Sequence, residues 1–171
     1  MMGFDHFVLF KLDDMQFALP ISAVERIARS VEITPLPKAP SIVLGVINVQ
    51  GRVVPVVDIR KRFSLPAKKM QLSDHIVLGK TSRRSIAILV DSVLDIIETA
   101  KHDVVGNDQI LSEMEYFQGV VKLKDGILLV HDLEKLLSLE EEQSLDKAME
   151  QAEPKTGKGK ANRKPQGKKA E

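Results

Sequence analysis

The side chains able to do chemistry are few and scattered. The chain of 171 residues carries four histidines, His6, His75, His102 and His131, and no cysteine. Structural zinc sites draw on Cys and His at short, fixed spacings, and neither a Cys pair nor His-x-x-x-His is present. A thiolate nucleophile is excluded outright. The Gly-x-Ser-x-Gly elbow, the P-loop and the Gly-x-Gly-x-x-Gly turn, which set a nucleophile or a phosphate against backbone N–H groups, are all missing. The carboxylates show no spacing that certifies an acid/base pair. No catalytic residue, metal or cofactor is expected, and no enzyme class is supported.

Charge is the second chemical resource. The net charge is +1, but it is unevenly placed. Residues 153–171 hold seven basic and two acidic side chains, a surplus of +5, which leaves −4 on the remainder. Such a segment is a candidate for counterion-release contact with nucleic acid or an anionic membrane. It has no aromatic residue for base stacking and no apolar anchor, so a solvated, disordered basic tail is the favoured reading. Fold-back onto the acidic stretch from Asp132 to Glu150 through screened contacts is a third option. No nucleic-acid partner is expected. The N-terminus lacks a basic n-region and a long apolar h-region, and no apolar run has the length of a membrane span. A cytoplasmic protein without direct membrane insertion is the expectation.

The elements that must position any binding surface are short strands. Val43 to Val49 and Val53 to Val57 are Val- and Ile-rich runs flanking Gln50-Gly51, which predicts a β-hairpin with Gly51 supplying positive φ. Asn48 is placed to satisfy backbone groups at that turn. Pro55 cannot donate to a ladder, so its arm is expected at a sheet edge or at a bulge; an edge either needs protection or serves a partner. Asp58 is placed to N-cap a short helix over Ile59 to Phe63. Phe7 to Leu12 with Met15 to Leu19, and His75 to Leu78 with Ser85 to Val90, read as further hairpins. Ile21 to Val24 reads as a helical turn, which Asp91 to Val93 repeats, with Asp91 capping it. Thr34 to Ser41 is a proline-rich connector, and His102 to Met114 a loop. Ser138-x-x-Glu141 is a capping box opening a helix to about Ala152.

The pattern repeats. Gly45 to Leu65 matches Gly119 to Leu139, 74 positions on, with Asp132 on Asp58 and Asp125-Gly126 as the second turn. Phe17 to Ile27 matches Ile86 to Ile96, 69 positions on, with Val24 on Val93. Two ordered pairs imply two similar halves, roughly 7–65 and 74–139, within one domain over 1–152. Short strands, few helices and regular turn signals predict an all-β chain of small barrels.

Gly45-Val46-Ile47-Asn48-Val49-Gln50-Gly51, followed by Val54-Pro55-Val56-Val57-Asp58-Ile59-Arg60, resembles the signature of the CheW family of bacterial chemotaxis coupling proteins. The resemblance extends over about Phe7 to Ala152. It implies two five-stranded SH3-like β-barrels with short helices and a C-terminal helix. It also implies a non-catalytic adaptor that joins the regulatory domain of a CheA-type histidine kinase to the cytoplasmic tip of methyl-accepting chemoreceptors. Val24, Gly45, Val93 and Ile96 match family positions tied to partner contacts, although Val24, Val93 and Ile96 taken singly read as core. Arg26 and Gln50 fall where the family commonly has Glu and Arg, at the receptor-facing groove. The acid has become a base and the base neutral, so an adaptor of a divergent chemosensory pathway is the alternative, beside a basic-tailed nucleic-acid- or membrane-binding barrel. Asn48, Gly51, Pro55, Asp58, Asp91 and Asp132 are expected to be structural.

Overall fold

The structure is a computed structural model and describes residues 3–106, 116–124 and 126–152. Eleven strands are described: β1 Phe4–Leu12, β2 Met15–Pro20, β3 Val24–Arg29, β4 Val43–Val49, β5 Arg52–Val57, β6 His75–Lys80, β7 Ser85–Val90, β8 Ser92–Ala100, β9 Val104–Gly106, β10 Phe117–Leu123 and β11 Gly126–His131. Two α-helices accompany them, α1 Ile59–Arg62 and α2 Leu139–Ala152. The chain is all-β with short helical pieces. The basic segment, the turn residue Asp125 and most of the loop read at His102 to Met114 lie outside the described residues; the start of that loop holds a 3-10 turn, Lys101–Asp103, and β9.

The strands form two sheets, ordered β8-β1-β2-β11-β10-β9 and β3-β6-β7-β5-β4. The second lobe is a contiguous stretch, β3 to β7, whereas the first is assembled from both ends of the chain. The sequence halves 7–65 and 74–139 therefore do not coincide with the lobes: each sheet takes one hairpin unit from each half. β1–β2 pairs with β11, and the matching β6–β7 pairs with β5, both through a parallel contact, Val130 to Ala18 and Val56 to Ala87.

The repeat is carried into the register. Phe7 opposes Pro20 as Ile76 opposes Leu89. Phe10 opposes Val93 as Gly79 opposes Val24, each beside a shift of register. Gly119 opposes Val130 as Gly45 opposes Val56. The sixth strand of the first sheet has a counterpart too. β9 pairs Val105 with Val120, and in the other lobe Thr34 bridges to Val46, with N–H···O distances of 2.9 and 2.8 Å. Both lobes are thus five strands closed by a short extra segment.

Period-two alternation divides the apolar side chains among three cores. Phe7, Ala18, Val121, Leu128 and Val130 fill one lobe, and the repeat-related Ile76, Ala87, Ile47, Val54 and Val56 fill the other. The opposite faces meet between the sheets, where Phe10, Phe17, Val43, Val57, Val77, Ile88 and Val90 form a shared core that also takes Leu145 and Ala148 of α2.

Three local expectations change. β5 lies between β4 and β7, so Pro55 is not on an edge strand. Its missing N–H is tolerated because the pairing to β7 is confined to Val56 and Val57, just beyond it; the irregularity falls opposite, on β4, between Val43 and Gly45. Residues 92–93 begin β8 directly, without the 3-10 turn Ile21–Ala23 that their repeat forms. Asp91 is accordingly not a cap, and its carboxylate accepts from Arg60 and Lys68 instead.

Gly45 has φ +154°, and a Cβ there would lie 2.2 Å from the Thr34 carbonyl oxygen. At Gly119 it would lie 2.4 Å from the Val105 carbonyl oxygen. These glycines let the closing segment approach. Gly45→Ala is expected to cost about 2–4 kcal/mol in urea unfolding, because rigid backbone must shift. Gly51→Ala, with nothing within 4 Å and only its φ of +84° to strain, is expected to cost about 1 kcal/mol. Equal losses would refute this reading of Gly45.

Candidate partner-binding surface

The β4–β5 turn has positive φ at both central residues, Gln50 (+51°) and Gly51 (+84°), the type I′ geometry that matches strand twist. Asn48 Oδ1 accepts the Gly51 N–H at 2.9 Å, which holds the turn. Gln50 is thereby fixed at a groove of about 190 Å³ whose lining it shares with Arg26 of β3. Ile47, Ile76 and Leu78 form the floor, and Arg29 is a second cation in the lining. The second sheet curls far enough for its two edge strands, β3 and β4, to share this groove. Glu25 does not offset the arginines: it turns away to Arg52 at 3.5 Å and the Ser85 hydroxyl at 3.0 Å. The groove is cationic above an apolar floor.

The other residues implied by the resemblance divide by burial. Val24 and Val93, on edge strands β3 and β8, pack against the shared core as half-buried side chains. Ile96 is 53% exposed and its repeat mate Ile27 36% exposed. Among the described residues the two lobes therefore present equivalent edges, each with a partly exposed isoleucine and no strand paired on its outer side. Gly45 lies beneath the Thr34 backbone, so its small size serves the barrel closure. The structure places Arg26 and Gln50 together and Val24 and Val93 at the central core, and it leaves Gly45 in a separate, structural position.

Asp58 and Asp132 cap as expected, accepting the backbone N–H of Arg60 and Glu134 at 3.0 Å each. Asp91 does something else. It lies where the chain crosses from β7 in one sheet to β8 in the other, and its carboxylate is the hub of an ionic network. Arg60 Nη2 donates to it at 2.7 Å, Lys68 Nζ at 3.0 Å and the Asp13 N–H at 2.7 Å. Arg60 also forks onto both oxygens of Asp13 at 3.0 and 2.9 Å, and Lys68 reaches Asp74 at 2.9 Å. Burial raises the Asp91 pKa, but the hydrogen bonds from Arg60, Asp13 and Lys68 outweigh it and hold the carboxyl below its ordinary value. Burial likewise opposes the charge on Arg60 and Lys68, and their carboxylate partners more than restore it, so both are raised. Asp13 belongs to the β1–β2 turn and Arg60 to α1, so the network joins the lobes.

A second set of ion pairs seats α2. Ser138 and Glu141 form the reciprocal capping box at 3.1 Å each way. Arg62 donates to Glu141 at 2.6 Å and lies 5.0 Å from the Tyr116 ring centre. Arg84 pairs with Glu142 and Asp146. Arg60, Lys68, Asp13, Asp74 and Arg84 have no sequence expectation attached to them. Only Arg60 left a signal, as part of the Asp-Ile-Arg triplet after β5. Among the described residues no group of three or more His, Asp or Glu is placed to hold an ion. No helix of the described residues is long and apolar enough to cross a membrane.

Comparison with known proteins agrees with this architecture. The model of the CheW-like domain matches residues 6–141. The chemotaxis protein CheW of Rhizobium meliloti is 30% identical over 139 residues, 80% of this chain and 90% of that protein. The chemotaxis protein CheW of Treponema pallidum is 28% identical over 144 residues, 81% and 85% of the two chains. The crystal structure of the scaffolding protein TtCheW from Thermoanaerobacter tengcongensis shares the fold with a TM-score of 0.73 at 22% identity, covering 82% of this chain and 96% of that one. A match that spans both lobes and the start of α2, with relatives covered over most of their length, shows that the chain belongs to the CheW-like domain family.

Proposed function

We propose that this chain is a cytoplasmic bridge between a CheA-type histidine kinase and the tips of chemoreceptors. It is a non-catalytic adaptor of chemotaxis signal transduction, in line with the family model and the relatives named chemotaxis protein CheW. The observation that supports bridging is the duplication of the lobe: among the described residues β3 and β8 are equivalent edges, each with a partly exposed isoleucine, on one rigid double barrel. Such an object holds two partners at a fixed geometry and alters kinase output by position alone.

Calorimetric titration of the full chain with the kinase regulatory domain, and separately with a receptor-tip fragment, tests this. Saturable binding to both is expected, and failure to bind either overturns the bridge. The groove favours one variant reading. Arg26 and Arg29 above Ile47 and Leu78 suit a partner that presents carboxylates beside an apolar side chain. Binding to the kinase domain alone, with receptor binding gained in an Arg26→Glu/Gln50→Arg variant, would assign the chain to a divergent chemosensory pathway.

A further inference from the structure

The repeat pairs two pockets that have different contents. In the second lobe, Leu44, Asp74, Leu89 and Asp91 line a small pocket filled by Lys68 and Arg60. Their repeat mates, Gln118, Asp5, Pro20 and Ser22, line a pocket of about 350 Å³ in the first lobe. The filled pocket is closed by the connector after α1, residues 63–74, which folds back to start β6 and carries Lys68 into contact with Asp74. The chain after the second hairpin has no such route. It continues as α2 and packs on Arg62 and Arg84. Glu134, the mate of Arg60, is engaged elsewhere, with Ser82. Among the described residues, the first-lobe pocket is therefore open where its mate holds a lysine.

Its chemistry suits the same occupant. Asp5 takes the place of Asp74, and Ser22 offers a hydroxyl where Asp91 offers a carboxylate. Glu98 adds a second acid beside the lining residue His6, at 3.7 Å. Lys101 is close by, but its stem packs on Gly3 and it is not among the lining residues. A cation source is attached to the molecule: residues 153–171 carry seven lysines and arginines directly after α2. At about 3.3–3.6 Å per residue, 15 residues of extended chain reach about 50 Å.

We infer that the pocket between Asp5, Ser22 and Gln118 receives a lysine of the chain's own basic C-terminal segment, as its mate receives Lys68. This goes beyond the adaptor reading and does not depend on it. Because the chain has no cysteine, a nitroxide can be attached at one site in the full-length protein, through Gly159→Cys or Gly167→Cys. At low salt, amide NMR signals of Phe7, Ser22 and Gly119 are expected to lose intensity with at least one of the two labels. The loss should vanish in Asp5→Asn and, independently, when Lys155, Lys158, Lys160, Arg163, Lys164, Lys168 and Lys169 are replaced by Gln, a change that leaves residues 3–152 untouched. Intensity loss confined to the acidic face of α2, or undiminished in Asp5→Asn, would overturn the inference. So would a loss seen only on mixing spin-labelled with isotope-labelled molecules, which would place the segment on a second copy.

Discussion

Arg60→Ala is expected to lower the unfolding free energy at pH 7 by about 3–5 kcal/mol, the range for breaking a buried ion pair from one side. The Arg60 side chain is 8% exposed, and it ties together Asp13, Asp91 and the Pro66 carbonyl. Its removal leaves the Asp91 carboxylate with only Lys68 and one N–H. Lys68→Ala removes a side chain that is 27% exposed but leaves the buried Asp74 carboxylate to the Gln71 N–H, and it should cost less, about 1–2 kcal/mol. Arg60→Ala with Asp91→Asn should recover part of the loss, because the uncompensated charge goes with its partner. Urea unfolding of the four proteins decides the matter, and a loss below that of Lys68→Ala would remove Arg60 from the centre of the network. The pH dependence has a definite sign. Asp91 titrates lower in the folded state than its ordinary value of 3.8. Its contribution is therefore complete above that value and is lost as the pH falls through the folded pKa. Arg60 and Lys68 are both raised from their ordinary values by their carboxylate partners, so they stay charged throughout the acid range and only carboxylate protonation dissolves the network there.

His131 is expected to make the fold acid-labile at a milder pH. Its ring is 2% exposed and is enclosed by Phe17 at 4.6 Å, Phe63 at 4.7 Å, Phe117 at 5.1 Å and Phe10 at 5.5 Å between ring centres. Burial pushes its pKa from 6.5 down to about 3. The unfolded chain takes up a proton near pH 6.5 and the folded chain does not, so stability falls as the pH drops from there towards 3. At about 1.4 kcal/mol per pH unit, the loss between pH 7.5 and pH 4.5 is about 3 kcal/mol. His131→Leu keeps the volume and removes the titration. Its urea midpoint should change much less between those two pH values, and an equal shift in variant and parent would refute the assignment. Asp91 retains its charge at pH 4.5, so the two effects separate.

What the sequence made legible was whatever repeats locally. The Gln50-Gly51 turn, the Asp58 and Asp132 caps and the Ser138–Glu141 box each need residues within a few positions, and spacing reveals them. The halves were visible because Gly45 and Gly119, or Val24 and Val93, recur at fixed offsets. The exchange of hairpin units between lobes was not visible, because nothing in either hairpin names its partner; that choice is made by the Val130–Ala18 and Val56–Ala87 contacts across distant segments. Pro55 misled for the same reason: a proline marks where a ladder hydrogen bond is missing, and a strand paired on that side for two residues only meets the requirement as well as an edge does. Asp91 read as a cap because Ser22-Ala23-Val24 is a turn. Arg60, 31 positions away, and Lys68, 23 positions away, hold its carboxylate instead.

The assembly of the first lobe from both chain ends has a consequence for biosynthesis. Residues 24–90 contain every strand of the second lobe, so that lobe can close while the ribosome is still adding the later strands. β1 and β2 emerge earlier but must wait for β8 and β11, because Phe7 pairs with Ile97 and Phe17 with Leu129. Until then an unpartnered apolar hairpin trails from a finished barrel, the kind of species that chaperones engage. β1 and β2 are made before β8 and β11 and are among the last strands to find their place.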